Sequence, residues 1–202
     1  MKRLLIFFFA LALSPLAAQA QNHEYSPLAE KTVNYKNWSL PNLQSDKADD
    51  LRTLIAGKKL VMVVYFAPWC GNWHYEAPIA AKLYEKYKDQ GFQVIGVSEY
   101  GSRDEVKKFF GDAGTPYPVF TESESRDDKQ KTAHYGYRQL TGDTRNWGSP
   151  WNIFLEPGKV AQTGDLLIEK TWVVNGELIE AEVDKFIGER LAASAVITPC
   201  KN

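Results

Sequence analysis

The chain has 202 residues, 24 Lys and Arg against 25 Asp and Glu, a formal net charge of −1 and 2 cysteines. That near-neutral balance, with no basic stripe, argues against a nucleic-acid partner. Cys70 and Cys200 are too few for a disulfide scaffold, so a hydrophobic core must carry the stability.

The first twenty residues read as an export signal: Lys2 and Arg3, an apolar run over 4–13, and the small-residue site Ala18-Gln19-Ala20. The run is too short to span a bilayer and no later segment approaches the needed length, so no stable membrane anchor is expected after cleavage. Residues 1–20 are set aside as a signal peptide. The mature chain is expected to start at Gln21 and to work in the periplasm or outside the cell, an oxidising compartment. Roughly 180 residues remain, enough for one domain with a full core.

Residues 21–36 have weak periodicity and read as an extended entry segment. Residues 37–41 suit a short strand ended by Pro41, and 46–56 a helix with Leu51, Leu54 and Ile55 on one face, ended by Gly57. The valine-rich run 60–67 is nearly all apolar, which predicts a central strand covered on both faces. A helix is predicted over 71–90, with Ile79, Leu83 and Tyr87 on one face and Pro78 kinking it. A second strand follows over 92–98. Ser102 and Glu105 form a capping box for a helix carrying Val106, Phe109 and Phe110. A short strand is expected over 117–120, then a solvated charged loop over 122–131 and a helix ending near Leu140. Residues 141–149 read as a surface loop. Strands over 151–155 and 166–174 are separated by Pro157-Gly158, which predicts an antiparallel pair. After the turn Asn175-Gly176, an amphipathic helix is expected over 177–193. This order describes one α/β domain over 37–193 with a mixed sheet, and a tail over 194–202.

Chemistry concentrates where the 60–67 strand turns into the next helix, because Cys70 stands at the bend. Unpaired N–H groups and the dipole at a helix N-terminus favour an anion, and with it a nucleophilic thiolate. His74, one turn on, would add to that effect if protonated near the thiol, and Cys70 with His74 also forms a pair of soft metal ligands. Trp69, Trp73 and Trp151 are candidates for an aromatic peptide-gripping surface. His23 and His134 lack motif context, and Glu76 is accounted for by the helix dipole.

Four pieces carry a resemblance: Phe66-Ala67-Pro68-Trp69-Cys70-Gly71, Glu76-Ala77-Pro78, the strand over 92–98, and Gly148-Ser149-Pro150-Trp151-Asn152-Ile153-Phe154-Leu155. In this order, from Asn37 to Leu191, the chain resembles the thioredoxin-like superfamily, in its exported TlpA-like branch of thiol-disulfide oxidoreductases. The resemblance implies a thioredoxin fold: a mixed central sheet with helices on both faces, here with an N-terminal strand and helix extension. It implies a cis bond at Pro150 facing Cys70, a Ser149 backbone that pairs with extended substrate, and no metal or other cofactor. Two positions depart from the pattern. Trp73 stands where the family has its second, resolving cysteine, and Val64 where many thioredoxins bury a carboxylate.

A site with one cysteine cannot store an internal disulfide, because no second thiol attacks the mixed disulfide. The expected function is therefore monothiol exchange through Cys70 with protein or small-molecule thiols and disulfides, an external thiol completing the cycle. The alternative is a redox-inactive binding module, or a chaperone-like protein, that uses a Trp69, Trp73 and Pro150 surface. Oxidation of Cys70 by peroxide to a sulfenic acid is a further reading. Ala67 and Val63 count against it, standing where peroxiredoxins have threonine and proline. A copper site of the Sco type needs a second cysteine that is missing here. Cys200 is expected to be free or to pair between molecules, because an ordered tail reaching Cys70 would be almost fully extended.

Overall fold

The computed structural model describes residues 22–196; the expected signal peptide over 1–20 and Cys200 lie outside the described residues. Two short N-terminal strands, β1 (Tyr25–Ser26) and β2 (Ala29–Thr32), precede the hairpin β3 (Ser39–Pro41) and β4 (Ala48–Asp50) and the short helix α1 (Leu51–Ile55). Then follow β5 (Leu60–Phe66), α2 (Gly71–Tyr87), β6 (Phe92–Ser98), α3 (Arg103–Phe110), β7 (Val119–Thr121) and α4 (Ala133–Thr141). The chain closes with β8 (Trp151–Leu155), β9 (Lys170–Val174), β10 (Glu177–Leu178) and α5 (Glu180–Val196).

The main sheet has six strands in the order β2-β9-β8-β5-β6-β7. β5, β6 and β7 are parallel, whereas β8 runs antiparallel to β5, and β9 antiparallel to both β8 and β2. β5 lies between two paired neighbours and every one of its seven residues is buried. Side chains alternate across a strand. Leu60, Met62, Val64 and Phe66 therefore pack under α2, α3 and α5 with Trp73, Leu83, Val106, Val183 and Ile187. Val61, Val63 and Tyr65 face the opposite layer, with Leu51 and Ile55 of α1 and Tyr137 of α4. Burying each such aliphatic side chain contributes about 1.5–3 kcal/mol, which is why the valine-rich run is the centre of the sheet.

The mixed sheet, the helices on both faces, the β8–β9 antiparallel pair and the capping box of Ser102 and Glu105 are all observed. Several boundaries differ. The segment over 21–36 is built into the sheets: β2 pairs with β9 and β1 with β10. The helix expected over 46–56 starts only at Leu51. Residues before it pair with β3, and the Asp50 side chain accepts from Thr53 N–H as the cap. The last helix starts at Glu180 rather than 177, since Glu177 and Leu178 pair with β1. The surface loop expected over 141–149 is exposed only in part: Gly142, Thr144 and Asn146 are exposed, whereas Thr141, Asp143, Gly148 and Ser149 are buried.

Candidate functional site

β5 ends at Phe66, and four residues later Cys70 is the N-cap of α2 with an extended backbone (φ −78°, ψ 124°). No side chain caps this helix, so its first N–H groups are left unclaimed by any side chain. The thiol is half-buried and donates to Ser149 O at 3.2 Å. Ser149 also fixes the other strand end, since its hydroxyl accepts from Ala67 N–H at 2.8 Å. The Ser149–Pro150 bond is cis. The bend after β5 and the cis-proline loop before β8 are thus pinned to each other on both sides of the thiol.

The loop is held from behind by charged groups buried in the fold. Arg138 and Asp143 side chains are each 1% exposed and pair at 3.1 Å. Arg145 donates to Asp143 Oδ2 at 2.8 Å and to Pro150 O at 2.7 Å, and Arg138 also donates to Arg145 O. Arg145 holds the Asp143 carboxyl below its ordinary range against the opposing effect of burial. Gly148 sits at φ +60° directly against Arg138, where a Cβ would lie 1.7 Å from its Nε. Nothing in the spacing of Arg138, Asp143 and Arg145 marks these residues as partners.

Trp73 is fully buried and stacks on Phe66, with ring centroids 4.3 Å apart and planes at 18°. Trp151 is also fully buried, its indole N–H donating to Asn175 Oδ1 at 2.8 Å, and Pro150 is buried. The expected peptide-gripping surface of Trp69, Trp73 and Pro150 therefore does not form, because two of its members face the core. Trp69 alone remains half-exposed, donating to Tyr100 O at 2.8 Å. Its aromatic partner is one the sequence reading missed: Trp147, edge-on at 5.1 Å.

His74 is exposed and lies edge-on to Phe109 at 4.8 Å; the hydrogen bond of the Cys70 thiol goes to Ser149, not to this ring. Among the described residues no third metal ligand joins Cys70 and His74.

Glu76 corrects the dipole reading. It is fully buried one turn beyond Trp73, and its carboxylate accepts from Leu178 N–H at 2.8 Å. Burial pushes its pKa up to about 8, which the Leu178 and Asn152 hydrogen bonds offset only in part. Glu99, just after β6, is likewise fully buried and raised, by burial and by Glu122 beside it. His134, on α4, stacks on Tyr65 at 5.1 Å and bonds Tyr100 OH at 3.0 Å; burial and Arg138 push it down to about 3.

With this geometry in view, the match to known proteins is specific. The redoxin family profile fits residues 29–164. The chain belongs to the redoxin family. It is 25% identical over 189 residues to the probable phospholipid hydroperoxide glutathione peroxidase 6 of Arabidopsis thaliana mitochondria, covering 89% of this chain and 79% of that one. The corresponding protein of Helianthus annuus is 30% identical over 129 residues, 55% of this chain and 72% of the relative. In structure the redoxin chain is similar to a thiol:disulfide interchange protein of the thioredoxin family from Chlorobium tepidum. That likeness has a TM-score of 0.54 at 19% identity, over 80% of this chain and 97% of the other. It supports the thioredoxin fold. Among the described residues no helix is long and apolar enough to cross a membrane.

Proposed function

We propose that this redoxin is an exported monothiol exchange protein. The Cys70 thiolate attacks a disulfide R–S–S–R, forming Cys70–S–S–R and releasing R–S⁻. A second, external thiol then attacks the mixed disulfide and regenerates Cys70. Ser149 and Trp69 are the proposed contacts of the incoming sulfur compound, with Pro150 shaping the loop that carries Ser149. The observation that carries the reading is the site's asymmetry. Cys70 keeps a nucleophile's place at the start of α2, half-buried and hydrogen-bonded to Ser149 O, while Trp73 at the resolving position is packed into the core. The thiol:disulfide interchange protein that shares the fold supports this choice of chemistry.

Trapping in the native cell tests the reading. Cys70 should form mixed disulfides that run as slow bands on a non-reducing gel and vanish with thiol. Cys70→Ser should abolish them; bands that persist in that variant would count against Cys70. Export is tested by N-terminal sequencing of the mature protein, which should begin at Gln21.

A second reading, hydroperoxide reduction, is favoured by the names of the two plant relatives. There Cys70 would be oxidised to a sulfenic acid while the peroxide O–O bond is cleaved to water or an alcohol. Peroxide consumption by the reduced protein, lost in Cys70→Ser, would raise this reading above exchange.

A further inference from the structure

Tyr100 lies in the turn between β6 and α3 at φ +59°. Among the described residues, Tyr100 and Asp46 are the two non-glycine residues with a positive φ. A short polar side chain tolerates that conformation, whereas for a bulky ring it is an outlier. The glycine that could have relieved the turn stands one place on and meets a different need. A Cβ on Gly101 would lie 2.4 Å from Pro68 Cγ, so this turn is pressed against the bend that carries Cys70. Backbone strain retained at such a place points from the outlier to a role.

The role is visible at both ends of the residue. The carbonyl of Tyr100 accepts from Trp69 Nε1–H at 2.8 Å, and Trp69 immediately precedes Cys70. The ring, buried, lies 5.4 Å from that of Trp147, which stands two places before Ser149. Its hydroxyl is anchored in the core, 3.0 Å from Nδ1 of the buried His134 and 3.2 Å from Oγ1 of Thr132, the N-cap of α4. Tyr100 therefore touches both segments that meet at the thiol. Those segments are joined by the Trp69–Trp147 contact at 5.1 Å and by the Cys70–Ser149 hydrogen bond at 3.2 Å. On its other side Trp69 meets the exposed Arg126, whose guanidinium lies 4.3 Å from the ring, a weak contact at such a site.

We propose that Tyr100 is a positioning residue for exchange at Cys70: its left-handed backbone and anchored ring hold Trp69 and Trp147 together and so keep the Ser149 loop in register with the thiol. The proposal rests on the reading of Cys70 as an exchanging thiol and adds the residue that sets its geometry. Tyr100 acts through the two tryptophans and not on the reacting sulfur.

The test pairs a rate with a spectroscopic signature. Formation of the Cys70 adduct with hydroxyethyl disulfide is followed by mass spectrometry at one pH, under conditions where far-UV circular dichroism shows each variant folded. Tyr100→Phe keeps the ring and loses its anchor. Tyr100→Gly keeps the carbonyl, relieves the backbone and loses the ring. Adduct formation should slow about 2-fold in Tyr100→Phe and about 3-fold or more in Tyr100→Gly, the scale of one net hydrogen bond. Leu191→Ala, which empties a buried place on α5, is the stability control and should react as the parent does. The long-wavelength near-UV band that Trp147→Phe removes reports the indole pair, and Tyr100→Gly should remove the same band. Parent rates in both variants, or in Tyr100→Phe where Tyr100→Gly does not fold, overturn the proposal. So does an equal slowing in Leu191→Ala, which would make the effect one of stability. A band left intact in a slowed Tyr100→Gly overturns the route through the tryptophans. A parent Cys70 that takes no adduct overturns the exchange reading and the proposal with it, whereas unchanged variants of a reactive parent overturn the proposal alone.

Discussion

Trp73, three residues after Cys70, lies face to face with Phe66, 4.3 Å between ring centroids, and is part of the hydrophobic core. The indole fills space between β5 and α3, where Phe109 also packs at 5.7 Å. A cysteine there would fill much less of that volume and leave a cavity. Trp73→Cys should therefore destabilise the fold by about 3–5 kcal/mol, the cost of truncating a buried aromatic. Urea denaturation measures it. A loss below about 1 kcal/mol would mean that the indole is not packed as described.

Glu76 gives the stability of the protein a particular pH dependence. Its carboxyl has an ordinary value of 4.5 and is pushed up to about 8 by burial, so the folded state holds the proton more tightly than the unfolded one. The stabilisation is full below 4.5 and is lost as pH rises towards about 8. Glu76→Gln keeps an acceptor for Leu178 N–H and removes the titration. The urea midpoint of the variant should fall less between pH 5 and pH 8 than that of the parent. Glu99 is raised in the same sense and leaves a residual slope. An identical fall in parent and variant would contradict the burial of Glu76.

Asp143 joins the two arginines that hold the loop before β8. Removing one partner of a buried pair leaves uncompensated charge, typically costing about 3–5 kcal/mol. Asp143→Ala should show a loss of that order, and should also slow alkylation of Cys70, because Arg145 would no longer be fixed to hold Pro150 O. Stability lost with unchanged Cys70 reactivity would show that the network supports the fold and not the site.

Gly148→Ala tests the same loop from the backbone side. Alanine at φ +60° is strained, and its Cβ would occupy the place of Arg138 Nε. Arg138 must then leave Asp143. The expected result is destabilisation that adds little to Asp143→Ala in the double variant, since both break one network. Full additivity would contradict the coupling.

The central strands and the bend at Cys70 are readable because they rest on long apolar runs and on turn chemistry, as in β5 and the Ser102 cap. The Ser149–Pro150 segment was readable only through resemblance. The burial of Trp73 and Glu76 had a signal: 73, 76, 80, 83 and 87 alternate at three and four residues, one stripe of α2, and all five are buried. A glutamate on that stripe still reads as a helix-dipole residue, because charged residues are seldom fully buried. Arg138, Asp143 and Arg145 carried no such signal. Their pairing depends on a loop folding back on α4, a tertiary contact that local pattern does not encode. The pairing of β1 with β10 was hidden for the same reason, being a contact between the two ends of the fold.

The central claim is that Cys70 exchanges without an internal resolving thiol. Its most direct test is intact mass under non-reducing conditions after the reduced mature protein, with Cys200 retained, meets hydroxyethyl disulfide. Monothiol exchange predicts one stable adduct, mapped to Cys70, that persists until an external thiol removes it. Spontaneous loss of the adduct with formation of a Cys70–Cys200 disulfide would contradict the account, and so would a Cys70 that takes no adduct at all.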